Sequence, residues 1–84
     1  MKNEKNYPVI GGRYRHYKGG LYKVVKMATH TETNEPMVVY RSLNFGSWYC
    51  RPLTNWNEPN MDNEPRFELI TSRFRIFSLL FSMR

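Results

Sequence analysis

The chain has 84 residues, one cysteine, two histidines and a net charge of +6, from 13 Lys and Arg against 7 Asp and Glu. A chain of this length forms one small domain with a thin core, and one cysteine with two histidines supplies neither an internal disulfide framework nor the spaced ligands of a structural zinc site. MKNEKNYPVI lacks the apolar run of a secretory signal and no apolar stretch reaches the roughly 18 residues of a membrane span, so we expect a cytoplasmic domain with no metal or cofactor.

The predicted elements begin with a leader and a hairpin. Asn, Lys and Glu fill the start of residues 1–11, which we expect to be a flexible leader. RYRHY alternates polar and aromatic residues, KGG provides a turn in which Gly19 or Gly20 takes a positive φ, and LYKVVKMATH is rich in β-branched and aromatic residues. These segments predict a β-hairpin, whose first strand we interpret as a charged edge strand.

The hairpin's first strand carries two couples of basic side chains, of which only one can face outward. Arg13 and Arg15 share one face, and His16 and Lys18 share the other. A one-residue offset in register decides between them, and the sequence leaves the choice open.

Three more strands follow, separated by turns. TETNEP predicts a turn in which Asn34 takes the left-handed region, and Pro36 suits the first position of a strand. MVVYRSL, WYCRPL (ended by Pro52) and FELI predict strands, while residues 55–65 predict a loop. With no helix expected before residue 70, the pattern predicts an all-β fold, a small SH3-like antiparallel β-barrel over residues 12–71.

The last segment, residues 72–84, shows helical spacing instead. Phe74, Phe77 and Phe81 share one stripe of a predicted short C-terminal amphipathic helix, opposite Ser78 and Ser82. Three interpretations stay open: packing on the barrel, a homodimer contact through the phenylalanines, or an anchor at a membrane surface.

Charge is unevenly distributed along the chain. Residues 13–26 contain five Lys and Arg and no acid, whereas most acids fall in residues 58–68. A basic face attracts phosphate-bearing partners, although a charge run can also serve only as a solvated surface.

Cys50 with His16 or His30 would be the only nucleophile and base available for catalysis. We interpret Cys50 as a buried small hydrophobe on the face of Trp48. We therefore predict a protein without catalytic residues.

Four blocks of the chain, GRYRHYKGGLYKVV, ATHTETNEPMVVYRSL, WYCRPL and PRFELI, resemble a family of small bacterial and phage proteins known as domain of unknown function family 1653. The resemblance spans Gly12 to about Ile70 and implies a compact, β-rich, barrel-like domain. Cys50 departs from it, since the family favours an aliphatic residue there, and the tail lies outside it. The resemblance also implies a shared polar surface that includes Arg15, His16, Tyr17, Lys18, His30, Glu32, Tyr40, Arg41, Trp48, Arg51 and Pro52.

These observations together predict a small non-catalytic binding module whose basic, aromatic face binds nucleic acid or a nucleotide. The alternative is a protein-interaction module or inhibitor with an aromatic groove of Trp48 and Tyr40, and an enzyme is the more distant one. The predicted ligand-binding residues are Arg15, His16, Tyr17, Lys18, His30, Tyr40, Arg41, Trp48 and Arg51.

Overall fold

The computed structural model describes residues 6–71. It is mostly β, which confirms the predicted fold class in its coarser form, and its one described helix is short. The predicted turns are confirmed, since Gly19, Gly20 and Asn34 all take positive φ and β3 begins at Pro36. In chain order the elements are the strands β1 (Arg13–His16), β2 (Leu21–Thr29), β3 (Pro36–Ser42) and β4 (Trp48–Pro52), the helix α1 (Leu53–Asn57) and the strand β5 (Phe67–Ile70).

The five strands form one antiparallel sheet in the order β4-β3-β2-β1-β5. β1 lies between β2 and β5, so the interpretation of RYRH as an edge strand is wrong. The FELI strand, β5, pairs with the side of β1 that β2 leaves open. The edges of the described sheet are β4 and β5, which do not pair with each other. Closure into an SH3-like barrel is therefore not confirmed.

The open sheet is nevertheless strongly curled. The guanidinium carbon of Arg51 in β4 lies 5.1 Å from the ring centre of Phe67 in β5. In a flat sheet these strands, four positions apart, would be separated by about 19 Å. A bulge in β2 between Val24 and Lys26 increases local twist and favours the curl. The sheet thus has a concave face, on which side chains from its two edge strands meet.

The core lies on the concave face, where Tyr14, Val24, Val38, Tyr40 and Phe67 point inward from the strands. The helix α1 adds Leu53 and Trp56, and the Trp56 ring stacks on Phe67 at a centroid distance of 3.8 Å. The expectation of a loop with no helix before residue 70 is wrong at α1. Leu53 and Trp56, three positions apart after Pro52, bury one face of a helix too short for a periodic pattern to reveal. Within residues 6–71 no helix is long and apolar enough to cross a membrane.

The segment before β1 contacts the sheet at several points. The Val9 amide donates to the Tyr14 hydroxyl (2.9 Å), and the Gly11 amide donates to the Val24 carbonyl (2.8 Å). Asn57 donates from its side chain to the Asn6 carbonyl. The described part of the predicted leader, residues 6–11, therefore lies against the sheet. The division of the chain into residues 1–11, 12–71 and 72–84 stays a prediction. The predicted helix over 72–84, with the contacts of Phe74, Phe77 and Phe81, lies outside the described residues.

Candidate functional site

A cleft of about 390 Å³ occupies the part of the concave face that α1 leaves open. It lies beside the β1–β2 turn, and we call it the concave cleft. Its walls combine aromatic rings with basic side chains, and none of the described residues that line it is acidic. The lining residues are His16, Lys18, Gly19, Tyr22, Tyr40, Tyr49, Arg51 and Phe67.

Arg51 is the most constrained cation of the concave cleft. Its Nε donates to the Tyr40 hydroxyl (2.8 Å) and its Nη1 donates to the Asn55 side-chain oxygen (2.8 Å). Its guanidinium also lies over the rings of Tyr40, at 5.6 Å, and Phe67. Among the described residues no carboxylate forms an ion pair with Arg51, since the ion pair found there joins Arg66 to Glu58. Residues 6–71 accept from two of the five guanidinium N–H groups, which leaves three for a ligand.

Tyr40 links Arg51 to the aromatic floor. Its side chain is buried, and its ring contacts those of Tyr22 and Tyr49 at 5.5 and 5.6 Å. Burial raises the pKa of the Tyr40 phenol, which the hydrogen bond from Arg51 partly opposes. The phenol is therefore protonated at neutral pH. Because its oxygen accepts from Arg51, its own hydrogen can be donated to another group.

His16 lies where the cleft meets the β1–β2 turn. Its Nδ1 accepts a hydrogen bond from the Lys18 amide (3.1 Å), and its ring packs edge-on against Phe67 at 4.8 Å. Burial lowers the pKa of His16, and the positive charges of Arg51, Arg66 and Lys18 lower it further. The ring is thus neutral near pH 7, and with Nδ1 acting as acceptor its proton lies on Nε2. His16 is a hydrogen-bond donor here and not a third cation.

A second cleft of about 450 Å³ adjoins the first and shares His16 and Gly19 with it. We call it the adjacent cleft. Its charge is mixed, since Arg15, Glu64 and Glu68 all line it. Tyr17 also lines this cleft, and its exposed ring lies within 6 Å of the charged groups of Lys18 (5.8 Å) and Arg66 (5.9 Å). The predicted residues of the first block therefore separate into two neighbouring clefts.

Burial decides which couple of basic side chains in and after β1 faces outward, a choice that the sequence left open. Tyr14 is buried and His16 partly so, which places both on the concave face, while Arg13 and Arg15 are exposed. In the β3–β4 hairpin, Tyr40 faces Tyr49 on the concave side, whereas Arg41 faces Trp48 on the convex side. Trp48 and Tyr40 thus lie on opposite faces, and the predicted groove made of both rings does not form.

Two other predicted positions lie apart from the concave cleft. His30 is in the β2–β3 turn, where its Nδ1 accepts from the amides of Glu32 and Thr33 at 3.1 and 3.4 Å. Cys50 is exposed, so the expectation that it is buried is wrong. It lies on an edge strand, with its side chain on the convex face, which no second layer covers in the described part of the chain. Cys50 and His16 are on different faces of the sheet.

The site prediction omitted three aromatic residues of the concave cleft: Tyr22, Tyr49 and Phe67. Tyr22 does leave a signal in the sequence, because the alternation RYRHY…LYK places it on the face of Tyr14 across the hairpin. Phe67 gives no such signal, because it reaches the cleft only through the pairing of β5 with β1, in which it is opposite His16, 51 positions earlier in the chain.

Comparison with known proteins gives a family and a fold. The model of the family described as "Protein of unknown function (DUF1653)" matches residues 12–69. A crystal structure of a protein of this family from Bordetella bronchiseptica is 35% identical, covering 74% of this chain and 87% of that one, with a TM-score of 0.62. No curated protein matches the chain.

Proposed function

The chain belongs to the DUF1653 family, and we propose that it is a small binding module whose concave cleft takes a phosphate-bearing ligand of nucleotide size. The observation that carries this proposal is the state of Arg51. It is held in place by Tyr40 and Asn55 and has three free N–H groups, but no carboxylate partner among the described residues.

An arginine held in this way is suited to a phosphate. The planar fork of a guanidinium matches two oxygens of a phosphate, and holding it in advance reduces the entropy lost on binding. Lys18 adds a second positive charge at the rim of the cleft. The Tyr40 hydroxyl and His16 can add neutral donors, because the pKa shifts keep the phenol protonated and the imidazole neutral. Cations and neutral donors therefore converge on one anionic group.

The aromatic walls favour a ligand that also carries a ring. Tyr22 and Tyr49 lie 6.1 Å apart by ring centres, and Tyr49 is 45% exposed, which leaves part of its face for stacking. A volume of about 390 Å³ lies in the range typical of small-molecule sites. Of the two phosphate-bearing ligands predicted, the concave cleft favours the nucleotide. A longer strand that continued into the adjacent cleft would bring its next phosphate toward Glu64 and Glu68.

The test is calorimetric titration with mono-, di- and cyclic nucleotides at two salt concentrations. We expect saturation at one small molecule per chain with a weak dependence on salt. Arg51→Gln should weaken binding about 10- to 100-fold, since hydrogen bonds to charged groups contribute about 1.5–3 kcal/mol. The matched control is Arg41→Gln, which removes the same charge from the opposite face. The absence of saturable binding across the panel in folded protein would overturn the proposal.

A second candidate, a protein-interaction module, is favoured by the exposed aromatic side chains of the β3–β4 hairpin. Phe45 is 87% and Trp48 is 60% exposed. The curled, five-stranded sheet is compatible with an SH3-like interpretation, in which aromatic surfaces bind extended proline-rich peptides. Titration with a proline-rich peptide panel tests this candidate. Peptide binding that is lost in Trp48→Ala, with nucleotide binding retained, would support it, and no peptide binding would exclude it.

A further inference from the structure

The convex face carries a row of cations that the register of the sheet places side by side. Arg13 in β1 is directly opposite Lys23 in β2, and Lys23 is opposite Arg41 in β3. The row ends at β4, where Arg41 is opposite Trp48. We call Arg13, Lys23 and Arg41 the basic row. Four neighbouring strands thus present three cations and one exposed aromatic ring in a line about 14 Å long.

This arrangement is unfavourable for the sheet itself. Directly opposite residues of an antiparallel pair have Cβ atoms about 4.5–5.5 Å apart, and like charges on such a pair destabilise it. All three side chains of the basic row are exposed, and none forms an ion pair with a carboxylate among the described residues. In the pairing of β1 with β5, the acid Glu68 is opposite Arg15, whereas Ile70 is opposite Arg13. The protein therefore concentrates positive charge here at a cost to its own stability.

We propose that the basic row with Trp48 is a second phosphate-binding surface, and that its ligand is single-stranded nucleic acid. A line of cations can contact successive phosphates of a nucleic-acid strand, whereas a compact ligand with one anionic group would not extend along the line. Trp48 is 60% exposed, and the Arg41 guanidinium lies 5.8 Å from its ring centre. One face of an unpaired base can stack on this ring, while its phosphates run along the row.

The aromatic end of the row distinguishes a single strand from other polyanions. In a duplex the bases are already stacked and paired, so Trp48 would gain no partner there. An acidic polypeptide would neutralise the cations, but its carboxylates do not provide an aromatic ring to stack on Trp48. The concave cleft is on the opposite face of the sheet, so this inference does not depend on the proposed function, and the two can fail separately.

The experiment measures the affinity of the full chain for a fluorescein-labelled oligothymidylate by anisotropy at several salt concentrations. If three phosphates are neutralised, the slope of log K against log salt should be about −2, since each contributes about −0.7 for single strands. Lys23→Gln should reduce the slope by about 0.7, and the triple variant Arg13→Gln, Lys23→Gln, Arg41→Gln should abolish binding. Lys26→Gln is the matched control, because it removes an exposed charge of the same strand that is opposite Val39 and outside the basic row, and it should leave affinity and slope nearly unchanged.

Stacking gives an independent readout, because one of the two tryptophans is exposed and the other, Trp56, is buried. Oligothymidylate should quench the intrinsic fluorescence of the wild type. Trp48→Leu should remove the quenching and weaken binding about tenfold, as loss of one stacked base predicts. Binding that survives the triple variant, or equal affinity for duplex DNA or polyglutamate, would overturn the proposal. Loss of nucleotide binding in Arg51→Gln alone would bear only on the concave cleft.

Discussion

The concave and convex faces of this sheet use the same residue types in opposite ways. On the concave face the cation Arg51 is fixed by two hydrogen bonds and lies against two aromatic rings. On the convex face Arg13 and Arg41 flank Lys23, and each faces another cation across the strand pair. The first arrangement holds one charge in a defined geometry, and the second distributes charge along a line. We therefore propose a compact anionic ligand for the first arrangement and an extended one for the second.

The two tryptophans provide the strongest test of that comparison. Trp56→Ala should lower the free energy of unfolding by about 3–5 kcal/mol, because its ring stacks on Phe67 and fills the closed part of the concave face. Trp48→Ala, on the convex face, should change it by no more than about 1 kcal/mol. Denaturant titration followed by circular dichroism measures both. Equal losses for the two variants would contradict the assignment of inner and outer faces.

A smaller effect is expected from the hydroxyl groups of the concave cleft. Tyr40→Phe removes the acceptor of the Arg51 Nε–H and should destabilise the protein by about 1–3 kcal/mol. Tyr22→Phe is the control, because the Tyr22 hydroxyl makes no side-chain hydrogen bond within the described region, and it should be nearly neutral. Thermal unfolding measures the difference. If Tyr40→Phe were neutral, Arg51 would not depend on the phenol for its position.

The basic row predicts a stabilising substitution. Lys23→Gln should raise the free energy of unfolding by about 0.2–1 kcal/mol, because it removes the cation opposite both Arg13 and Arg41. Lys26→Gln also removes an exposed charge from the same strand, but Lys26 is opposite Val39, so no comparable gain is expected. Unfolding at low ionic strength measures the contrast. A gain of the same size in both variants would show that net charge, and not the row, is responsible.

The smallest expected effect is a pH dependence of the free energy of unfolding that arises from His16. Because His16 is partly exposed, solvent screens the effect of the neighbouring charges on its pKa. Because its pKa in the folded protein is lowered from 6.5, the unfolded chain binds the proton more readily. The free energy of unfolding should therefore fall as pH decreases through 6.5 toward the folded-state value. His16→Asn keeps an acceptor for the Lys18 amide but does not titrate, so it should flatten this slope. His30→Asn, which retains His16, should keep it, and an unchanged slope in His16→Asn would assign the effect to other groups.

The strands and turns could be predicted from the sequence because their causes are local. Alternation of polar and aromatic residues sets the faces of a strand, and Gly19, Gly20 and Asn34 allow the positive φ values that the turns require. The short helix could not be predicted, because its two apolar residues, Leu53 and Trp56, are too few to show a helical period. Their burial also depends on Phe67 from a distant strand.

The sequence by itself also determined that basic and aromatic residues would share one small domain, which is why His16, Lys18, Tyr40 and Arg51 were proposed together. Only the tertiary structure decided which face each residue occupies. Register shifted by one residue exchanges the two faces, and neither alternative violates a local preference. The pairing of β5 with β1 and the curl of the sheet join Arg51 to Phe67 from opposite edges. Such contacts depend on how the whole sheet packs, which no short stretch of sequence encodes.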